Sequence, residues 1–404
     1  MTRRGFISTS LAAFAGMAAG RALADGTPGR KYPGWKPGEF DIHLIHTGTG
    51  EQTFFIFPDG TTMLLDCGHE AKRRPDYVAA IPPCPDGSRR GGEWVARYIA
   101  RLIEKKDIDY VMASHWHSDH ISEFPFLAER FRFGRFFDHQ FPRRRNYSTD
   151  ASEGDYEKVM AWLDGARGNG LRECEFTVGR NDQIKLLHDG EGRYSSDFEV
   201  RNIAANGVVW DGKDGVRDCA AEHVKATGAK RLEENMLSAA VRIRYGNFTY
   251  YSGGDLEKTF TAADGTEYCY EGLVGRVTGP VDVCKANHHS FRAAMQAPFV
   301  RAVRPRVILS SSWSPNQIDD RNLSIMASRE LYPGERDIYF GCFPGEKRRL
   351  YRDRAFMSSV VPFAGHAVVK VAPGGENYRV MVLSAADERM RIVSERAYAA
   401  VSAR

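Results

Sequence analysis

Histidine is scarce in this chain, with 12 in 404 residues. No stretch is long and apolar enough to form a stable membrane span, so none is expected in the mature protein. None of the seven cysteines (Cys67, Cys84, Cys174, Cys219, Cys269, Cys284 and Cys342) forms a CxxC pair, which speaks against a cysteine-built zinc site. Their odd number leaves at least one thiol unpaired within the chain. There is no internal repeat, and no low-complexity block outside the ends. A dominant charge is also missing, since 56 basic residues face 52 acidic ones for a formal charge of +4. What remains is a globular composition, 42% hydrophobic and 27% charged. Such a chain buries a sizeable core without disulfides, as one large domain or two ordinary ones.

Even the small positive excess is local. Residues 1–24 carry Arg3, Arg4 and Arg21 and no acid. They run from a basic start through an apolar stretch, Phe14 to Ala19, to Ala22-Leu23-Ala24, an A-x-A cleavage pattern. The paired Arg3 and Arg4, followed by Gly5, Phe6 and Ile7, resemble the bacterial twin-arginine export signal. The resemblance implies passage through the twin-arginine export machinery and a periplasmic or secreted mature protein, where disulfides are permitted. Without residues 1–24 the formal charge drops by three to +1. No global field then draws in nucleic acid, which is not an expected partner. Arg143-Arg144-Arg145 and Lys347-Arg348-Arg349 remain as local clusters, read as solvated surface runs.

Residues 25–39, rich in Gly and Pro, read as a linker. A single domain is expected over 40–395. It opens with β-rich runs, "FDIHLIH", "TFFIF" and "TTMLLDCG", around a Pro-Asp-Gly turn. Residues 70–92 read as a long surface loop. Trp94, Val95, Tyr98, Ile99, Leu102 and Ile103 fall at helical spacing. "DIDYVMAS" then reads as a buried strand, and "DYEKVMAWLDGAR" as a helix. "LSAAVRIRYGNFTYYSGGD" reads as a hairpin about Tyr245-Gly246-Asn247. "VDVCKANHHS" and "RPRVILSSSW" are strands, "SIMASRELY" a short helix, and "GHAVVKVAPGGENYRVMVLS" a closing hairpin. Two strand-rich halves with helices outside predict an α/β fold, a four-layer αββα sandwich.

A quarter of the histidines sit in "ASHWHSDHIS", residues 113–122, where a strand ends. Left unpaired, His115, His117, Asp119 and His120 would be costly to bury. Imidazole and carboxylate suit borderline divalent ions such as zinc, manganese or iron. The supply, with Asp255 and the pair His288-His289 further on, is too large for one catalytic ion and about right for two. In an extended loop His115 and His117 point to the same side and share one ion. Asp119 and His120 lie past the turn and suit a second. Asp255 could instead cap a helix beginning at Leu256; its place after a strand and two glycines favours the metal role. Of the pair, His288 is favoured as ligand, with the other histidine touching substrate or water. His43, His46, His69, His188, His223 and His366 read as ordinary packed or surface histidines. His139, in "FFDHQF", is the candidate for a spare ligand or pocket residue.

His115-x-His117-x-Asp119-His120 matches the HxHxDH pattern of the metallo-β-lactamase superfamily. Gly253-Gly254-Asp255 resembles its bridging aspartate, and "KANHHS" its last histidine motif. The opening "HLIHTGTGEQTFFIFPDGTTMLLDCG" resembles the first hairpins of the hydrolase domain in ComEC-type proteins. Those read GQGD and HHGS where this chain has Gly48-Thr49-Gly50-Glu51 and His288-His289-Ser290-Phe291. The resemblance spans roughly residues 40–315 plus the closing hairpin. Two departures matter. The superfamily adds a histidine to the first metal from just before the strand leading to the aspartate; here "RLEENMLSAAV" offers Asn235 or Glu234. Ile121-Ser122-Glu123 also replace the usual Gly-Gly after the pattern.

The resemblance implies two divalent ions, zinc first, with manganese or iron(II) as alternatives, and hydrolysis by a metal-activated hydroxide. Asp119 would bind the second ion and orient the nucleophile, and His288 or His289 would protonate the leaving group. A small phosphodiester or phosphorylated substrate is expected. Lactam, lactone or thioester hydrolysis, metal-dependent oxidation, and a non-catalytic metal-binding role are the alternatives. Diiron members carry an acidic residue where His117 sits, which disfavours that branch.

Overall fold

The computed structural model describes residues 28–70, 72–140, 148–151, 154–291, 293–361 and 364–401. The export-signal segment 1–24 and Arg143-Arg144-Arg145 lie outside them.

Two nine-stranded mixed sheets face each other. In the first, the antiparallel strands Phe40–Leu44, Thr53–Ile56 and Thr62–Leu65 sit at the centre. On one side the parallel strands Asp107–Ala113, Arg132–Asp138 and Arg172–Glu175 extend them. On the other, Gly365–Val371, Asn377–Ser384 and Ile392–Ala399 close the sheet. The second sheet centres on Phe198–Ala205, Ala240–Tyr245 and Phe248–Ser252. The parallel strands Val283–Lys285, Val307–Ser310 and Asp337–Phe340 follow.

Successive side chains of a strand point to opposite faces, so a strand buried on both sides feeds two cores. Phe55, Met63, Leu65, Tyr110 and Met112 join Val241, Ile243 and Tyr250 between the sheets. Their neighbours Phe54, Leu64, Val111 and Ala113 pack outward against helices Gly91–Ile99 and Asp155–Gly168. On the other side Ile203, Tyr251, Cys284 and Ile308 pack beneath helices Tyr270–Thr278, Ala297–Val303 and Asp320–Ala327. Three apolar layers between four structural ones make the αββα sandwich.

Several local expectations change. Residues 28–39 are no free linker: Gly29 N donates to Ile392 O, Ile392 N to Arg30 O, and Tyr32 is buried. Gly and Pro here shape turns that lie along the last strand, and they do not signal lack of contact. That strand also carries the domain past residue 395, to Ala399. The 70–92 loop contains a short helix, Pro75–Ala80. No helix follows Asp255; the chain turns there. All seven cysteines are free thiols. Among the described residues no helix is long and apolar enough to cross a membrane.

Candidate metal centre

Parallel neighbours bring their carboxyl ends to the same edge of a sheet. Thr62–Leu65 and Asp107–Ala113 run in register, Leu65 opposite Met112, and deliver Asp66 and His115 together. Phe248–Ser252, Val283–Lys285 and Val307–Ser310 deliver Asp255, Asn287–His289 and Ser311 in the same way. The two rims meet across the sandwich, at the crevice where open α/β sheets place their sites.

His115 Nε2 lies 3.1 Å from His117 Nδ1 and 3.9 Å from Asp255 Oδ2. His120 Nε2 lies 3.3 Å from both Asp255 Oδ2 and His289 Nε2, and 3.7 Å from Asp119 Oδ2. His289 Nε2 is 3.1 Å from Asp119 Oδ2 and 3.3 Å from Asp255 Oδ2. Ligand atoms on one ion, each about 2.0–2.1 Å from it, stand roughly 3–3.5 Å apart. His115 with His117, and Asp119 with His120 and His289, therefore form two groups, and Asp255 Oδ2 sits between them. The sequence favoured His288; the ring that reaches Asp119 and His120 is His289. His288 Nε2 instead lies 3.8 Å from Asp255 Oδ2, and its Nδ1 is 2.7 Å from Glu257 Oε2. Asn235 is nearby, with Nδ2 3.4 Å from His288 Nε2 and 3.1 Å from Glu257 Oε1. Glu234 points elsewhere: its Oε1 lies 2.8 Å from His139 Nε2 and accepts from Trp116 N. His139 thus stands behind the site and not in it.

The backbone around these groups is tightly determined. Gly50 adopts φ +64°, and a Cβ there would lie 2.0 Å from Gly68 O. His288, His289 and Ser290 adopt φ of 44°, 52° and 66°, a run of left-handed residues that costs energy without glycine. Buried Glu271 anchors this loop by accepting from Asn287 Nδ2, Met295 N and Gln296 N at 2.7–2.8 Å. Asn322 Nδ2 donates to Ser290 O, and Ser312 Oγ to His289 O.

Outer partners aim the rings. Asp66 Oδ2 meets His120 Nδ1 at 2.9 Å, Ser114 Oγ meets His115 Nδ1 at 3.0 Å, and Ser311 Oγ meets His289 Nδ1 at 3.1 Å. Glu51 Oε2 accepts from Ser311 Oγ at 2.5 Å and Lys285 Nζ at 2.7 Å. Its carboxylate lies close enough to His120, Asp255 and His289 to share a metal with them. With Oε2 committed to Lys285, Ser311 and the outer nitrogen of His289, we assign Glu51 to orienting His289. Trp313 Nε1 donates to Asp119 Oδ2 at 2.9 Å and forms one wall of the site. Glu51, Asp66, Glu257, Lys285 and Trp313 escaped the sequence reading as site residues. The one signal was Glu51, in the segment resembling GQGD.

Charge and satisfaction favour divalent cations here. Glu51, Asp66, Asp119, Glu234, Asp255 and Glu257 are all buried, while Lys285 is the one buried lysine among the described residues. Uncompensated buried carboxylates are expensive. Burial would raise the Asp255 carboxyl, yet His120 and His289 hold it well below the usual range. Burial would lower His289, yet Asp255 and Asp119 raise it. These carboxylates draw cationic character onto their neighbours, and a divalent ion answers the same pull. Burial, then His120, keeps the His115 ring well below its ordinary pKa, in the neutral form a metal requires. Asn235 Oδ1 is buried with no hydrogen-bond partner. A hard oxygen left bare beside the His288 ring fits a metal ligand.

Residues 46–139 match the family model described as "Metallo-beta-lactamase superfamily". Residues 46–139 therefore carry the superfamily's sequence pattern, and the four layers and the rim site agree with it. No curated protein matches the chain. Among solved structures, a diphosphatase from the PhnP family aligns at 11% identity, covering 82% of this chain and 97% of its own, with a TM-score of 0.33. Human tRNase Z, short form, aligns at 10% identity, covering 66% and 91%, with a TM-score of 0.29. Rubredoxin oxygen:oxidoreductase from Desulfovibrio gigas aligns at 10% identity, covering 81% and 91%, with a TM-score of 0.26.

Proposed function

We propose that this protein is an exported, metal-dependent phosphoester or phosphodiester hydrolase with a dinuclear site. The carrying observation is Asp255 Oδ2, which stands between two groups of ligand atoms at 3.3–3.9 Å. A pair of divalent ions bound there supplies Lewis acidity and lowers the pKa of water to about 7. The chain supplies the rest. His115 and His117 face one position, with Asn235 beside His288, and Asp119, His120 and His289 face the other. Trp313 fixes Asp119 by its indole N–H. Asp66 and Glu51 hold the rings of His120 and His289 in one orientation. Zinc suits this nitrogen-rich set, with manganese and iron(II) as alternatives. The phosphoester assignment draws on the ComEC-type resemblance of the opening hairpins and on Asn235, an amide where a lactam-opening relative carries histidine.

Turnover of a generic phosphodiester by the mature protein loaded with zinc or manganese tests the proposal, with Asp119→Ala alongside. Metal-dependent turnover that the variant loses supports it and identifies the working ion. No turnover with both ions bound overturns the phosphoesterase assignment and leaves lactams, lactones and thioesters as the substrates to screen. Export is tested separately: Arg3→Lys with Arg4→Lys should retain the protein in the cytoplasm, and unchanged localisation would refute the twin-arginine route.

A further inference from the structure

The superfamily pattern lacks one histidine in this chain, and we infer that His288 supplies it: His288 Nε2 ligates the first metal position, and Glu257 positions the ring. His288 and His289, adjacent in sequence, then serve different ions. The inference rests on the dinuclear site proposed above.

His288 is one of the side chains nearest Asn235, which occupies the sequence position of the missing histidine. Its Nε2 is 3.8 Å from Asp255 Oδ2, while His115 Nε2 lies 3.9 Å from the same oxygen. The His289 ring, by contrast, meets Asp119 and His120. The two imidazoles diverge because both residues sit in the left-handed region, at φ 44° and 52°. In an extended strand adjacent side chains would point to opposite faces; here the tight turn splays them across one rim, with ring centroids 6.0 Å apart.

The second observation is Glu257. It is fully buried, Oε2 lies 2.7 Å from His288 Nδ1, and Oε1 accepts from Asn235 Nδ2 at 3.1 Å. One carboxylate therefore orients two neighbours at once. It engages the Nδ1 side of His288 and so leaves Nε2 as the lone-pair nitrogen. It also takes the amide protons of Asn235 and so turns Oδ1, which has no hydrogen-bond partner, away from itself. Ring nitrogens that bind metal almost always have their other nitrogen held this way. The same device holds His120 on Asp66. His288 is also largely buried, at 12% side-chain exposure.

The test counts ions. Protein loaded with zinc and passed through a desalting column is measured by mass spectrometry of the metal, and affinity by competition with a chromophoric chelator. Wild type should hold two ions per chain. His288→Ala and His115→Ala should each hold one, and their double variant should still hold one, because both remove the same ion. His289→Ala should also hold one, while His288→Ala with His289→Ala should hold none. Glu257→Gln, which keeps both rings, should weaken one ion by about 10–100-fold. In the cobalt-loaded protein, His288→Ala should alter the visible ligand-field bands, and His188→Ala, at an exposed ring outside the site, should not. Unfolding midpoints confirm that each variant folds.

Two ions at wild-type affinity in His288→Ala would overturn the inference while leaving the dinuclear hydrolase intact. Fewer than two ions in the wild type would overturn the dinuclear site, and this inference with it. Two ions in wild type without phosphodiester turnover would refute the proposed substrate class and leave the His288 assignment standing on the variant counts.

Discussion

His120 Nδ1 stands 2.9 Å from Asp66 Oδ2, and Asp66 is itself pinned by Ser114, whose backbone N–H and side-chain hydroxyl reach its two oxygens at 2.6 and 2.7 Å. A residue at the end of one strand thus aims a ligand that follows the next. Asp66 adopts φ +59°, which asparagine tolerates as well as aspartate. Asp66→Asn should leave the unfolding midpoint nearly unchanged and weaken one bound ion by about 10–100-fold, since an amide replaces the carboxylate behind His120. Chelator competition measures the loss; wild-type affinity would show that Asp66 is only a structural partner of Ser114.

Gly68 carries a steric demand. A Cβ at this position would lie 2.0 Å from the carbonyl carbon of Asp119 and 2.2 Å from His120 N. Both are backbone atoms, so the metal-ligand turn itself must shift. Gly68→Ala should destabilise the fold by about 2–4 kcal/mol and release metal. Gly87→Ala, where nothing lies within 4 Å, is the control and should change neither. Urea unfolding with metal analysis of both proteins decides it.

Ser290 holds a left-handed conformation at φ +66° where the ComEC-type pattern has glycine. Its hydroxyl donates to Ser310 Oγ at 2.8 Å. Ser290→Ala removes the hydrogen bond and keeps the strain, whereas Ser290→Gly removes both. The glycine variant should therefore be more stable than the alanine variant by about 1 kcal/mol. Ser290→Val, β-branched, should be the least stable of the three. Equal midpoints for the glycine and alanine variants would show that the loop relaxes.

Burial lowers the His46 ring to about 4, with Arg73 adding to the shift, and lowers His366 to about 3, with His46 adding. The pair is linked by His46 N donating to His366 Nδ1 at 3.0 Å. Each ring binds its proton more readily unfolded, where its pKa is about 6.5. Stability is therefore constant above that value and falls as pH drops from about 6.5 toward 4. His46 alone accounts for up to about 3 kcal/mol across this window. Urea midpoints at pH 7.5, 6 and 4.5 should decline, and the decline should be shallower in His46→Gln. A slope unchanged by that variant would assign the acid sensitivity to other groups.

Periodicity made much of the sandwich legible. "DIDYVMAS" reads as a buried strand and "TTMLLDCG" as the return of a hairpin, and the two pair side by side in the first sheet. Helix Asp155–Gly168 followed from its own spacing. Helices Tyr270–Thr278 and Ala297–Val303 carry short apolar stripes interrupted by glycine or proline, and Cys219–Thr227 buries only Cys219 and Ala220, so none of the three shows a helical stripe in the sequence. Ile392–Ala399 alternates weakly, since it is an edge strand with one face partly wet.

The same division runs through the site. His115, His117, Asp119 and His120 declare themselves because their spacing is local and their residue types are costly to bury without a partner. The roles of His288 and His289 do not, because adjacent residues with the same side chain are separated only by backbone angles that the fold imposes. Asp66, Glu257 and Lys285 were silent for a related reason: a lone carboxylate or amine in a sequence carries no chemistry until the rims of two sheets close over it. Local chemistry was written in the order of residues. Which ring faces which ion, and what stands behind it, comes from contacts between segments far apart in the chain, such as Glu51 with Lys285 and His120 with His289.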